Sequence, residues 1–506
     1  MPNMNSSKNP GTCMKTKGGF LIMNKAVQSI VVAVLLLLSV CRAFPQDAST
    51  EWDRLNQEIL SLYEQRQYDR AVSVAEKALG FAEKNGGGNN AYIASSLNTL
   101  AGLYIAQGMY VQAEPFYKRL LVICEKTLGP DHPETVESLF NLAELYKVQG
   151  KYADAEQLYK RVLAIMEKEL DPSHPNVAAI LNNLAGLYQS QGKYAEAEKL
   201  YNRMLKIDQE TLDPDHPDVA NSLNNLASLY EVQGKVVEAE SFYKRALAIL
   251  EKASDPDTPA VGACLNNLAL LYHRQGKYAQ AEPLCKRALA IKEKALGPDH
   301  PSVAVSLNNL AELCSDQGRN AESELLYKRS LSILEKALGP NHYIIGASLD
   351  GLAELYCIQG RYAEAEPLNK RALALSEKAL GPEHLAVARS LSGLAELARK
   401  QGNLAQVEPL CKRSLAIREK ALGPNHYDVA RSLNDLAELY RLQGNYPESE
   451  PLYKRALEIR EKSLGPDHPS VAVSLSGLAE LSRNTGRVQE ANALDQRAAK
   501  IRAMVR

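Results

Sequence analysis

The 506-residue sequence has one Trp and six Phe against 24 Tyr, so its aromatic content comes almost entirely from one residue type. That imbalance is what copying one side chain into the same slot many times would produce. There is no excess of charge of either sign: 59 Lys and Arg stand against 60 Asp and Glu, which removes the basic footprint expected of a nucleic-acid binder. The patterns GxxxxGK[ST], HExxH, GxSxG and GxGxxG do not occur, so no common nucleotide, zinc-hydrolase, serine-hydrolase or dinucleotide site is signalled. No two of the eight cysteines form a CxxC pair. Long apolar runs are also missing, apart from residues 26–41, which excludes a multi-span membrane protein. With 45% hydrophobic and 24% charged residues, the chain has the composition of a folded protein.

The single apolar run, AVQSIVVAVLLLLSVC, is shorter than the roughly 20 residues of a membrane-spanning helix and fits the core of a secretory signal. Lys25 precedes it, and Cys41-Arg42-Ala43 follows with small residues three and one before a cut ahead of Phe44. Residues 1–43 are therefore expected to be a signal peptide, with Met23 as an alternative start and an uncleaved membrane anchor as the competing reading. Removing them takes away Lys8, Lys15, Lys17, Lys25 and Arg42 and no acid, leaving 54 bases, 60 acids and a net charge near −6. The expected location is exported, periplasmic or extracellular, with a membrane-anchored form as the alternative.

Glycines recur at Gly108, Gly150, Gly192, Gly234, Gly276, Gly318, Gly360, Gly402, Gly444 and Gly486, each 42 residues after the last, and nine of the ten follow Gln. A fixed period of this size means an array of small supersecondary units. In each unit two stretches of helical periodicity flank the glycine. Leu265, Leu268, Ala269 and Tyr272 fall on one stripe of helix A, and Ala281, Leu284, Ala288 and Ile291 on one stripe of helix B, with Lys286 and Arg287 opposite. Gly297-Pro298 ends helix B, since glycine followed by proline cannot continue a helix.

The array resembles tetratricopeptide repeats, in the 42-residue form of kinesin light chains. The small helix-A position is Ala in ten copies: Ala101, Ala143, Ala185, Ala227, Ala269, Ala311, Ala353, Ala395, Ala437 and Ala479. The small position opening helix B is Ala113, Ala155, Ala197, Ala239, Ala281, Ala365 and Ala491, with Ser323, Val407 and Ser449 as departures. The resemblance, over about residues 51–506, implies an all-α fold: a right-handed α-solenoid of antiparallel helix pairs, about 11 units. Residues 51–90 are expected to form a divergent N-terminal capping unit, 93–470 nine regular units, and 471–506 a C-terminal capping unit. Where kinesin light chains carry a coiled coil ahead of their repeats, this chain has the signal-like segment, so motor attachment is not implied.

Eight of nine histidines lie in the B-to-A connections: His132, His174, His216, His300, His342, His384, His426 and His468. A metal site is excluded on spacing, because units stack on the order of 10 Å apart and ligands sit about 2 Å from one ion. The histidines are expected to shape the turn and cap the next helix, with Thr258 as a tolerated substitute. Cys124, Cys264, Cys285, Cys314, Cys357 and Cys411 are expected to be buried free thiols.

The resemblance places helix A on the concave face. The slot before the second Leu of LNNL holds Asn141, Asn183, Asn225, Asn267 and Asn309, matching the Asn with which kinesin light chains hold the backbone of an extended cargo peptide. A carboxamide can both donate and accept in that role. Three residues on, Glu312, Glu354, Glu396 and Glu438 make the second half acidic, with Arg389 and Arg431 interleaved. The expected function is a non-catalytic protein–protein interaction scaffold binding an extended peptide or partner protein through these residues. It needs no cofactor, metal or nucleic acid, and meets a membrane only if the N-terminal segment stays uncleaved. The alternatives are a regulatory subunit of a larger complex and, remotely, an enzyme with an unrecognised site.

Overall fold

The computed structural model describes residues 46–85, 90–253 and 257–505. The expected signal segment lies outside the described residues, as does the Gly86-Gly87-Gly88 stretch of the first connection. The described residues form 22 helices in eleven antiparallel pairs, with no strand among them. Unit 1 is α1 (Gln46–Glu64) with α2 (Tyr68–Asn85), and unit 11 is α21 (Pro469–Asn484) with α22 (Val488–Val505). In every unit the first helix is A and the second is B. The chain is thus an α-solenoid in which each unit packs on its neighbours.

The A-to-B turn is built by the periodic glycine. Gly150 has φ +72°, a left-handed conformation that costs a side-chain-bearing residue roughly 1–2 kcal/mol. It lets the Lys151 amide bond back to the Tyr146 carbonyl at 2.9 Å and closes helix A. Unit 1 has Arg66 in this slot, at φ 59°. Helix B ends at Gly297 as expected, whereas units 3 and 4 have Asp171 and Asp213 in the glycine slot and end one residue earlier, at Leu170 and Leu212 in extended backbone.

Histidine starts the A helices. Nδ1 of His174 accepts from the Asn176 amide at 3.1 Å, and His132, His216, His300, His342, His384, His426 and His468 repeat the bond. Thr258 does the same through its hydroxyl. An acceptor at Nδ1 places the proton on Nε2.

The invariant alanines sit where A and B cross. Ala143, Ala185, Ala227, Ala269, Ala311 and Ala437 are fully buried, as are Ala155, Ala197, Ala239 and Ala281 on helix B. Overpacking such a crossing costs about 1–3 kcal/mol. All six cysteines after the signal are buried free thiols, and burial raises each of their pKa values.

One feature of the fold is absent from the repeat pattern. The ring of His342 lies over Gly108, that of His384 over Gly150, His426 over Gly192 and His468 over Gly234. From Gly108 to His342 is 234 residues, about five and a half units of 42, and the other three pairs have the same separation. The superhelix therefore returns on itself, and its second turn sits directly on its first. Nε2 of His384 donates to the Val148 carbonyl at 2.8 Å, and Tyr110 meets Tyr343 edge-to-face at 5.4 Å. Arg66, strained in the glycine slot, reaches the Lys336 and Ala337 carbonyls at 2.8 and 2.7 Å.

Candidate binding surface

Consecutive A helices touch one another, as Ile345–Ile358 does Leu385–Lys400 and Pro259–Arg274 does Pro301–Asp316. Contact of that extent does not occur between consecutive B helices. The A helices are therefore on the inside of the curve, and the slots singled out in the sequence belong to one continuous inner wall.

In the first half, part of the amide row is spent on the wall itself. Nδ2 of Asn225 donates to Oδ1 of Asn182 at 2.7 Å, and Nδ2 of Asn267 donates to Oδ1 of Asn224 at 3.1 Å, each bond joining neighbouring units. Asn183 is buried and donates to the Ala179 carbonyl of its own helix. Asn141 and Asn309 are half-buried. Two of the five amides thus bind adjacent units together, and what Asn225 and Asn267 present to the groove is chiefly an acceptor oxygen. The neighbouring Asn slot adds a second row of cross-unit bonds, from Asn266 to Ser306 and from Asn308 to Ser348. This ladder was not visible as such in the sequence, although the paired Asn in LNNL was its signal.

Farther along, at Gly351, Gly393 and Gly477, the slot is glycine. A Cβ at Gly351 would lie 2.6 Å from the Tyr327 ring, which occupies the space the missing side chain leaves; units with Asn here carry a Tyr at the same offset, as Tyr243 is to Asn267.

The second half is a field of opposed charges. Asp350, held by the Ser390 hydroxyl at 3.3 Å, has its carboxyl pushed up to about 7 by burial, against the pull of Arg389. Burial likewise raises Glu354 and Asp435, each partly offset by Arg431. Glu354 is reachable by solvent yet walled by protein on most sides, as expected of a carboxylate inside a curve. Arg389 and Arg431 are exposed and form no ion pair or hydrogen bond among the described residues. Glu312 and Glu396 are exposed, Glu396 pairing with Arg399 at 2.6 Å, while Glu438 is half-buried between Arg441 and the Tyr453 hydroxyl. Charged B-helix residues reach the same region: Arg418 bonds Ser392, Ser414 and Ser432, and Arg460 bonds Ser474. The sequence reading missed these two because they belong to helix B. Their signal was a charge in a slot that holds Cys124, Met166 and Leu250 elsewhere.

No group of three or more potential metal ligands comes together among the described residues, and no described helix is long and apolar enough to cross a membrane.

Models of the tetratricopeptide repeat match residues 55–121, 92–168, 176–252, 260–336, 344–420, 392–462 and 428–503, with a second such model on 140–211. The chain belongs to the tetratricopeptide repeat family. Among solved structures, this tetratricopeptide repeat array is similar to kinesin light chain nearly identical TPR-like repeats of Podosopora anserina. The identity is 31% over 39% of this chain and 94% of that one, with a TM-score of 0.34. It is also similar to BtubC of P. vanneervenii, at 24% identity over 45% of this chain and 89% of that one, TM-score 0.36. A Rap protein complexed with Competence and Sporulation Factor matches at 16% identity over 82% of this chain and 99% of that one, TM-score 0.45. No curated protein matches.

Proposed function

We propose that this tetratricopeptide repeat protein, an interaction scaffold by fold, holds an extended peptide segment of a partner along its inner A-helix wall. The footprint begins on the acceptor oxygens of Asn225 and Asn267, flanked by Asn141, Asn183 and Asn309, and continues onto the charged second half. The observation that carries this reading is the pair Arg389 and Arg431: two exposed guanidinium groups on the inner wall that make no ion pair or hydrogen bond among the described residues and feel Asp350, Glu354 and Asp435 only at longer range. Arg binds carboxylates in a fixed two-pronged geometry, so the segment facing them is acidic, while Glu312 and Glu396 suit a basic neighbour in that segment. Glu354 and Glu438, more enclosed, shape the field between them. Such a scaffold binds and does not catalyse.

The test is site-specific photo-crosslinking in the native compartment, with the probe at Ser392 on the inner wall and, separately, at Lys286 on the outer face. The expected outcome is that Ser392 captures a partner through one linear stretch of its sequence, and that Arg389→Glu with Arg431→Glu abolishes capture. Equal capture from Lys286, unaffected by the Arg changes, contradicts the inner-wall reading. A regulatory subunit of a fixed complex would instead co-purify with its partner at constant ratio.

We also propose that the chain works outside the cytoplasm after losing residues 1–43. N-terminal sequencing of the mature protein decides this: a start at Phe44 supports it, and a start at Met1 or Met23 contradicts it.

A further inference from the structure

The surface that joins the two superhelical turns is used only once within the chain. The A-to-B turns of units 2 to 5, at Gly108, Gly150, Gly192 and Gly234, are covered by histidine connections of the second turn, but around Gly276, Gly318, Gly360, Gly402, Gly444 and Gly486 the space is open. On the other side, the connections that carry His132, His174 and His216 have the same capped shape as the docked ones, and among the described residues no glycine turn lies against their rings. The molecule therefore ends in two unlike halves of one interface.

The apolar side chains just before the turns follow the same division. Val148 and Val232, two residues before Gly150 and Gly234, pack into the core cluster that the second turn helps to close. Ile358 and Leu442 occupy the same slot before Gly360 and Gly444 and are 59% and 44% exposed. Two residues after the glycines, Tyr110 and Tyr194 are buried, while Tyr152 and Val236 on the other two docked turns are partly open, as are Tyr362, Leu404 and Tyr446 on the free edge. His468 is followed by Pro469 and still docks on Gly234, so the His-Pro connections of the first turn have the chemistry to dock.

We propose that the open edge of the second turn receives the first turn of another copy of this chain, head to tail. The occupant follows from continuity: advancing by the intramolecular step places His132 of a second copy over Gly360, His174 over Gly402 and His216 over Gly444. It buries Ile358 and Leu442 as Val148 and Val232 are buried. The contact is heterologous and does not close, so it propagates as a filament that continues the superhelix.

Sedimentation of the full chain over a concentration series tests this, alongside two variants. His132→Asp with His174→Asp and His216→Asp keeps an N-cap acceptor and removes the docking rings. Ile358→Lys with Leu442→Lys places charge on the opposite edge at already exposed sites. The expected result is a mass that rises with concentration in multiples of 55.6 kDa, and a return to monomer in both variants with unchanged helix content and melting. A monomer at every concentration overturns the proposal. Assembly that persists in either folded variant also overturns it, since association would then run through another surface, such as the apolar run at residues 26–41.

Discussion

The two turns of this superhelix are made from the same unit and live in different surroundings. In the first turn His216 caps its helix with its side chain 39% exposed, and in the second His426 caps its helix with its side chain 3% exposed, because the turn at Gly192 lies beneath it. The capping bond is local and common to all eight histidine connections. Docking depends on where in the superhelix a copy falls. A single repeat therefore performs two jobs, and only the first can be read within one period. The difference also has a chemical sign: where the rings are buried they must stay neutral.

Acid should separate the turns, with the largest effect of those expected. Burial lowers His342 and His468 to about 4, and lowers His384 and His426 as well. Of the charges facing them, Arg460 and Arg274 add to the shift at His468 and Arg389 at His384, while Asp428 opposes it at His426. Because the folded values lie below the ordinary 6.5, the unfolded chain takes up protons first. The histidine contribution is thus complete above about pH 6.5 and is lost as the pH falls toward 4, by up to about 3 kcal/mol for a group shifted to about 4. Protonation at Nδ1 also removes the cap acceptor. Scattering and circular dichroism should show the molecule lengthening before helix content falls. If both change together, the turns are not the weaker junction.

Lys292 sharpens the comparison between copies at the slot before each connection. Its stem is buried and burial lowers its ammonium to about 8, where other copies hold Leu250 or Leu334. The unfolded chain, with the usual value near 10.4, binds this proton more tightly, so the penalty develops as the pH falls from about 10 to 8 and is complete at pH 7. Lys292→Met should stabilise unit 6 by about 1–3 kcal/mol at pH 7 and by less at pH 10, read from denaturant melts at both. No gain at pH 7 would mean the ammonium is well solvated.

Matched glycine substitutions isolate the docking itself. Gly402→Ala meets only the left-handed backbone, costing roughly 1–2 kcal/mol. Gly234→Ala meets the same backbone and also the His468 ring, 2.6 Å from the new Cβ. It should therefore cost a further 1 kcal/mol or so, within the overpacking range of about 1–3. Equal losses in thermal melts would mean the contact yields freely. A smaller effect, about 1 kcal/mol, is expected for Arg66→Ala, which gives up the two carbonyl bonds to Lys336 and Ala337.

The sequence made legible whatever repeats within one unit: the glycine turns, the alanine crossings, histidine as a cap, and which helix faces are apolar. It did not reveal that His342 rests on Gly108, because that contact depends on small rotations accumulated over five and a half units, and no single unit encodes the sum. A trace was present. Tyr343, Leu385 and Tyr427 follow three of the four docked histidines where Pro133, Pro175, Pro217 and Pro301 stand elsewhere, although Pro469 follows the fourth, His468. For the inner wall, the Asn row was legible as a row, but its part in joining units was not, since Asn182 and Asn225 are neighbours only once the A helices are side by side.

The central claim is that the second turn is locked onto the first in solution, and a distance between the turns tests it most directly. With nitroxide labels at Ala153, on the first turn beside Gly150, and Glu383, on the second beside His384, both exposed, one short and narrow distance population is expected at pH 7.5. It should lengthen and broaden at pH 4. A broad, long distribution at pH 7.5 would contradict the lock.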